Sequence, residues 1–103
     1  MPATLEQDAS ACLIQLAGRV NIASATELKQ LLLEWLATGK NLDLDLEAVE
    51  EIDITIMQLL WSAGQEAARR GIGFGGRTSR AAAFAMRDAG LIMPGIAYSG
   101  AAG

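Results

Sequence analysis

The stretch LDLDLE at 42–47 alternates without exception. Leu42, Leu44 and Leu46 fall on one side of an extended chain, and Asp43, Asp45 and Glu47 on the other. Successive side chains of a strand point to opposite faces of its sheet, so one face here is buried among aliphatic groups and the other is wet. A strand covered by helices on both faces would read as an unbroken apolar run. The alternation therefore predicts a sheet whose helices lie mainly on one face.

The neighbouring elements follow from period and punctuation. ACLIQL at 11–16 suits a short strand ended by Gly18. Further on, Leu28, Leu31, Leu32, Trp35 and Leu36 recur at the spacing of one helical stripe. Ser24 with Glu27 three residues later has the form of a capping box, and Gly39 that of a helix stop. A second helix is expected from 53 or 54 to 70, stopped by Gly71. A short strand at 72–74, a GGRT turn, an alanine-rich helix at 79–89 ended by Gly90, and an edge strand within 91–98 complete the order. In 103 residues without linker or repeat, this predicts a single small α/β domain with a mixed sheet of four to five strands. Residues 1–10 form an N-terminal segment that can supply an edge strand, 11–98 form the domain, and 99–103 a loose C-terminal tail.

Composition acts by exclusion. The chain has no histidine, which removes the commonest general base and the commonest metal ligand. Its one cysteine, Cys12, allows neither an internal disulfide nor a cysteine metal cluster. Cys12 alternates with Ile14 and Leu16 and reads as a small core residue. No nucleophile stands with an adjacent base, so no catalytic residue is assigned, an enzyme is disfavoured, and no cofactor is expected. A net charge of −4 opposes nucleic acid or an anionic membrane face as the main partner. No apolar run approaches a membrane span, and MPATLEQDAS has no basic or apolar leader. The expected setting is a reduced cytoplasm.

The dense carboxylates Asp43, Asp45, Glu47, Glu50, Glu51 and Asp53 lack the ligand order and glycine of a calcium loop. They read as a solvated strand face and turn, and no metal site is assigned. GIGFGGR fits neither the dinucleotide fingerprint nor the phosphate loop and reads as strand and turn. Arg77 and Arg80, placed at the start of a helix, leave room there for a small-ligand pocket. Arg69, Arg70, Arg77, Arg80 and Arg87 make the second half locally basic, either as solubilising residues or as contacts for an acidic partner.

The second helix carries the candidate site. Advancing about 100° per residue, Ile56, Leu59, Leu60, Ala63 and Ala67 cluster on what must be the core face. Ile54 and Trp61 fall almost opposite, with Gln58 and Gln65 beside them. Met57 sits on the flank and is expected outside, and Thr55 projects from the edge of the outward surface. A contiguous exposed apolar patch needs explanation where a single residue does not. Either another part of the chain folds over it, or it is a docking face with an aromatic anchor. The docking face would comprise Asp53, Ile54, Met57, Gln58 and Trp61, and Trp61 could equally seal a homodimer. At Thr55 the amides and partial positive charge of the helix start welcome a phosphate, which would add up to about two negative charges. Threonine is also an ordinary first-turn residue, and Asp53 alone can cap the helix.

LDLDLEAVEEIDITIMQLL, finally, resembles the signature of STAS domains, the family that includes bacterial anti-sigma-factor antagonists. That signature is an apolar strand ending in Asp, a short turn, then Asp-Ser-Ser-Gly-Leu opening a helix. Asp45 corresponds to the strand's aspartate and Asp53 to the aspartate before the phosphorylated site. Upstream, LAGRVNIASATEL is similar to the family's strand, glycine and helix opening. Downstream, AARRGIGF and TSRAAAFAMRDAGLI are similar to its helix, glycine, strand and final helix, so the likeness spans residues 12–92. It implies a non-catalytic regulatory module with Thr55 at the phosphorylated position. Its implied partners are a serine/threonine kinase of the anti-sigma type, which binds the unphosphorylated face, and a phosphatase that resets it. Ile54 stands in place of the first Ser, Ile56 in place of the Gly and Met57 in place of the Leu. A side chain at 56 is expected to fill space through which a partner's backbone would approach. Divergent members, in chemotaxis-linked operons or as small subunits of lipid-transport ATPases, imply the alternative of a constitutive subunit whose Thr55 is never phosphorylated.

Overall fold

The alternating strand divides water from core as its period requires: Leu42, Leu44 and Leu46 are buried, while Asp43 and Asp45 are half-buried and Glu47 exposed. The computed structural model describes residues 3–91 and 96–98. Along the chain come β1 (Ala3–Gln7), β2 (Ala11–Val20), a 3-10 turn (Ile22–Ser24), α1 (Ala25–Thr38), β3 (Asn41–Ile52), α2 (Ile54–Arg70), β4 (Phe74–Thr78), α3 (Arg80–Asp88) and β5 (Ile96–Tyr98). The sheet has five strands in the order β1-β2-β3-β4-β5. β1 is antiparallel to β2, and every later pair is parallel.

Each parallel step needs a crossover, supplied here by α1, α2 and α3 in turn. Crossovers are right-handed almost without exception. Because the strand order never reverses, each crossover moves the same way across the sheet and lands its helix on the same face. This is the mixed α/β sheet with one open face that the alternation predicts.

Between sheet and helices lies one apolar core, in which Trp35, Ile14, Leu28, Leu44, Ile56 and Leu60 are fully enclosed. Trp35 satisfies its indole by donating from Nε1 to the Lys40 carbonyl at 2.7 Å, and its ring meets Phe74 at a centroid distance of 5.8 Å. Gly39 and Gly71 end α1 and α2 in the left-handed region, each at φ 70°, as their positions in the sequence predict.

Four expectations need correction. Ser24 makes no side-chain cap; Asn21 caps instead, its Oδ1 accepting from the Ala23 amide at 3.0 Å. The preceding 3-10 turn takes up the role assigned to a capping box. β2 runs past Gly18 to Val20, and β3 runs past Glu47 to Ile52. The second extension crosses a bulge, where Gln15 and Ala17 pair with Asp45 and Ala48. One extra residue in β3 shifts the period, so Val49 rather than Ala48 returns to the core.

The GGRT turn, in turn, is part of β4 itself. Gly76 has φ 152°, and a Cβ there would stand 1.8 Å from the Leu44 carbonyl oxygen of the paired strand. A glycine pair that reads as a turn thus marks close backbone approach inside a sheet. Finally, residues 92–95 of the expected last strand and the 99–103 tail lie outside the described residues.

Candidate functional site

The site forms where β2 and β3 end and α2 begins. Asp53 is extended (φ −81°, ψ 152°) and fixes the corner with two hydrogen bonds. Its amide donates to the Val20 carbonyl at 2.9 Å, and its carboxylate accepts from the Thr55 amide at 2.7 Å. The first ties α2 to the end of β2; the second satisfies one of the amides that a helix start leaves unpaired.

From this corner α2 turns Ile56, Leu60, Ala63 and Ala67 into the core, with Leu59 half-buried. Ile54 is 46% exposed and Trp61 38% exposed. Gln58 and Gln65 lie exposed beside them, and Thr55 is half-buried. Ile54 and Trp61 are seven residues apart, so they lie on nearly one line of the helix.

Met57 does not belong to this surface. It is only 6% exposed and packs in the core, so its expected outward placement is corrected. Met57 and Gly64 are also seven residues apart and share a flank. A Cβ on Gly64 would lie 3.3 Å from Phe74 Cε1, which puts that flank against β4. Ile56 is fully buried as well. Its side chain therefore occupies core space rather than the outward approach, and the expected obstruction to a partner disappears.

One apolar residue was missed from sequence. Ile22, 67% exposed, sits in the 3-10 turn that packs against α2. The signal was available: Ile22 directly follows the capping Asn21 and falls outside the apolar stripe of α1. Beside the α2 entrance lies an open groove of about 560 Å³, with Glu50, Glu51 and Asp53 on one side and Ala81 and Ala85 of α3 on the other.

Arg77 sits elsewhere than expected. It belongs to β4, not to a helix start, and points over the open face of the sheet. Its guanidinium meets Glu47 at 3.1 Å, Asp43 at 3.5 Å and Asp45 at 3.6 Å. The Glu47 hydrogen bond and then the Asp43 charge raise its pKa further above the ordinary arginine value. Asp45 is held below the usual carboxylate range, chiefly by the Glu47 amide at 3.0 Å, against some desolvation and with help from Gln15 and Arg77. The acidic row is thus a paired strand face, and Arg77 is held on it rather than at a helix start beside Arg80. Among the described residues no cluster of three or more His, Cys, Asp or Glu is arranged to hold a metal. Cys12 is buried, with Sγ 3.5 Å from Thr38 Oγ1. Among the described residues no helix is long and apolar enough to cross a membrane.

Among curated proteins, no relative matches the chain. Several solved structures share its fold, among them two from bacteria. An anti-sigma factor antagonist from Mycobacterium paratuberculosis aligns with a TM-score of 0.80 at 20% identity, over 94% of this chain and 84% of that one. RsbS from Moorella thermoacetica, carrying a serine-to-glutamate substitution, aligns with a TM-score of 0.75 at 21% identity, over 96% of this chain and 86% of that one. A family model described as "Mlab, STAS domain" matches residues 3–91, every element from β1 through α3. The chain belongs to the STAS domain family.

Proposed function

We propose that the protein is a non-catalytic regulatory module of the cytoplasm that docks a protein partner through the start of α2. The contact surface comprises Asp53, Ile54, Gln58 and Trp61, with Ile22 at its edge, and Met57 supports it from beneath. The observation that carries this reading is the exposed pair Ile54 and Trp61 on one line of α2. Exposed aromatic and aliphatic groups grouped on one face are the common anchors of protein interfaces. The partner is a serine/threonine kinase of the anti-sigma type, and Thr55 is the residue it modifies. A phosphate there would place new negative charge in an apolar face and close to Glu50, Glu51 and Asp53, weakening the contact by desolvation and repulsion. A phosphatase restores the docking form.

Two experiments test the two halves. Incubation with ATP and candidate kinases, followed by intact-mass measurement, is expected to add one phosphate to wild type and none to Thr55→Ala. Modification of both proteins alike would remove Thr55 from the switch. Trp61→Glu is expected to fold normally and lose the kinase. If it binds the kinase with wild-type affinity, the docking face lies elsewhere.

A second reading is supported by Ile54 and Ile56, which replace the serine and glycine of the family signature. In it the protein is a constitutive subunit of a larger assembly and Thr55 is never modified. Purification of the native assembly separates the two readings: a stoichiometric complex carrying only unmodified Thr55 favours the subunit. Sedimentation of the free protein shows whether Trp61 closes a homodimer instead.

A further inference from the structure

The arginines divide into two groups. Arg19 faces Glu51 at 3.7 Å, Arg69 and Arg70 both close on Glu66, and Arg77 is held by the acidic row of β3. Arg80 and Arg87 make no ion pair among the described residues. Each instead lies over the ring of Phe84, at 5.4 and 6.0 Å from its centroid. The three residues stand at i, i+4 and i+7, so they form one stripe of α3. Ala82 and Met86 make the buried side of that helix, which leaves the stripe pointing away from the sheet. Phe84 is 48% exposed. Asp88, exposed at the end of α3, is the carboxylate that α3 itself brings to the stripe's edge and pairs with neither guanidinium among the described residues; Glu50, Glu51 and Asp53 line the groove beside Ala81 and Ala85.

We infer that this stripe is a docking site for an acidic segment of a protein partner. An apolar side chain of the segment meets Phe84, and carboxylates on either side of it take Arg80 and Arg87. Guanidinium groups already parked on a ring lose less freedom on binding, and their planar fork donates two parallel hydrogen bonds to a carboxylate. Arginine and aromatic residues are also the types most enriched at interfaces. Charge supplies the selection. The chain as a whole carries −4, so an acidic segment is repelled by most of the surface and directed to its unpaired cationic stripe.

Geometry narrows the segment further. The Cα atoms of Arg80 and Arg87 are about 10 Å apart along the helix, close to the roughly 9 Å that one three-residue turn of a polyproline II segment covers while returning its side chains to the same face. The fitting segment therefore has acidic residues at positions i and i+3 with an apolar residue between them. A membrane surface fits less well, because the helix is short, has a single exposed ring and ends in Asp88, without the basic excess of interfacial helices. Ala81 and Ala85 on the neighbouring side of α3 line the groove that Asp53 borders. The stripe therefore flanks the α2 entrance, yet it does not depend on docking there.

The probe is the peptide acetyl-EELFEELFEE-amide, titrated into the ¹⁵N-labelled full chain. Amide shifts are expected at residues 80–88. Affinity should fall by about tenfold in Arg80→Glu/Arg87→Glu and severalfold in Phe84→Ala, with far-UV CD unchanged. Arg69→Glu/Arg70→Glu makes the same charge change and should alter affinity by less than about twofold. The proposal is overturned by shifts confined to other residues, by an equal loss in the Arg69 and Arg70 variant, or by equal binding of the Gln-for-Glu peptide. Absence of binding also overturns it. So does an Arg80- and Arg87-dependent association with phosphatidylglycerol vesicles that exceeds peptide binding, which would assign the stripe to a lipid surface.

Discussion

Two surfaces of this domain face water, and they treat their side chains differently. On the open face of the sheet, Arg77 is enclosed by Asp43, Asp45 and Glu47, and Gln15 donates to Asp45 at 3.2 Å. That face is charged, but its charges are answered within the chain. On the outward side of α2, Ile54, Trp61 and the nearby Ile22 are exposed apolar groups with no covering segment among the described residues. Exposure alone does not mark a docking face, since ordinary protein surface is more than half apolar. The distinguishing feature is chemistry left unanswered by the chain's own residues, and the outer side of α2 has more of it than the sheet does.

The largest expected effect tests whether α2 is as two-sided as this contrast requires. Ile56→Ala removes a fully enclosed side chain and should cost about 2–5 kcal/mol in urea unfolding. Ile54→Ala, two residues away, should change stability by about 0.5 kcal/mol or less. Similar losses at both positions would mean that Ile54 is packed in solution, and the contrast with the sheet face would collapse.

An intermediate effect is expected at the hinge between the two surfaces. The Asp53 carboxylate caps α2 through the Thr55 amide at 2.7 Å, so Asp53→Ala should cost about 1 kcal/mol. The same variant should also loosen the α2 entrance, which hydrogen exchange at the Thr55 amide would report as faster exchange without global unfolding. Unchanged exchange at Thr55 would show that the cap does not order the docking face.

The sequence revealed these surfaces unevenly, for physical reasons. The strand at 42–47 was readable because period 2 is a direct consequence of strand geometry. Readability stopped at the bulge beside Ala48, where an inserted residue breaks that period without leaving a mark in composition. Helix α2 was bounded correctly because Asp53 and Gly71 are both cap chemistry. Met57 was misplaced because a wheel places side chains by angle alone. It could not anticipate that the core cluster would close over the Met57 flank of the helix. The partners of Arg77 were hidden for a different reason. They lie about 30 residues away in sequence, and only the β3–β4 register brings them together.

The smallest effect belongs to the sheet face and depends on pH. The folded pKa of Asp45 is lowered, first by the Glu47 amide and then by Gln15 and Arg77, against desolvation. An unfolded aspartate titrates near about 3.9. Its contribution to stability is therefore fully present above that value and is lost as pH falls through the lowered folded value. Asp45→Asn should destabilise by about 0.5 kcal/mol near neutrality, because the Arg77 pair is partly solvated. The gap between variant and wild type should close as urea midpoints are followed down into the acid range. Trp61→Gln, on the other surface, should show a gap that does not change with pH. A pH-independent gap for Asp45→Asn would mean that the carboxylate is not held by its neighbours in solution. The sheet face would then be as unanswered as α2, and internal pairing could not be what separates the two.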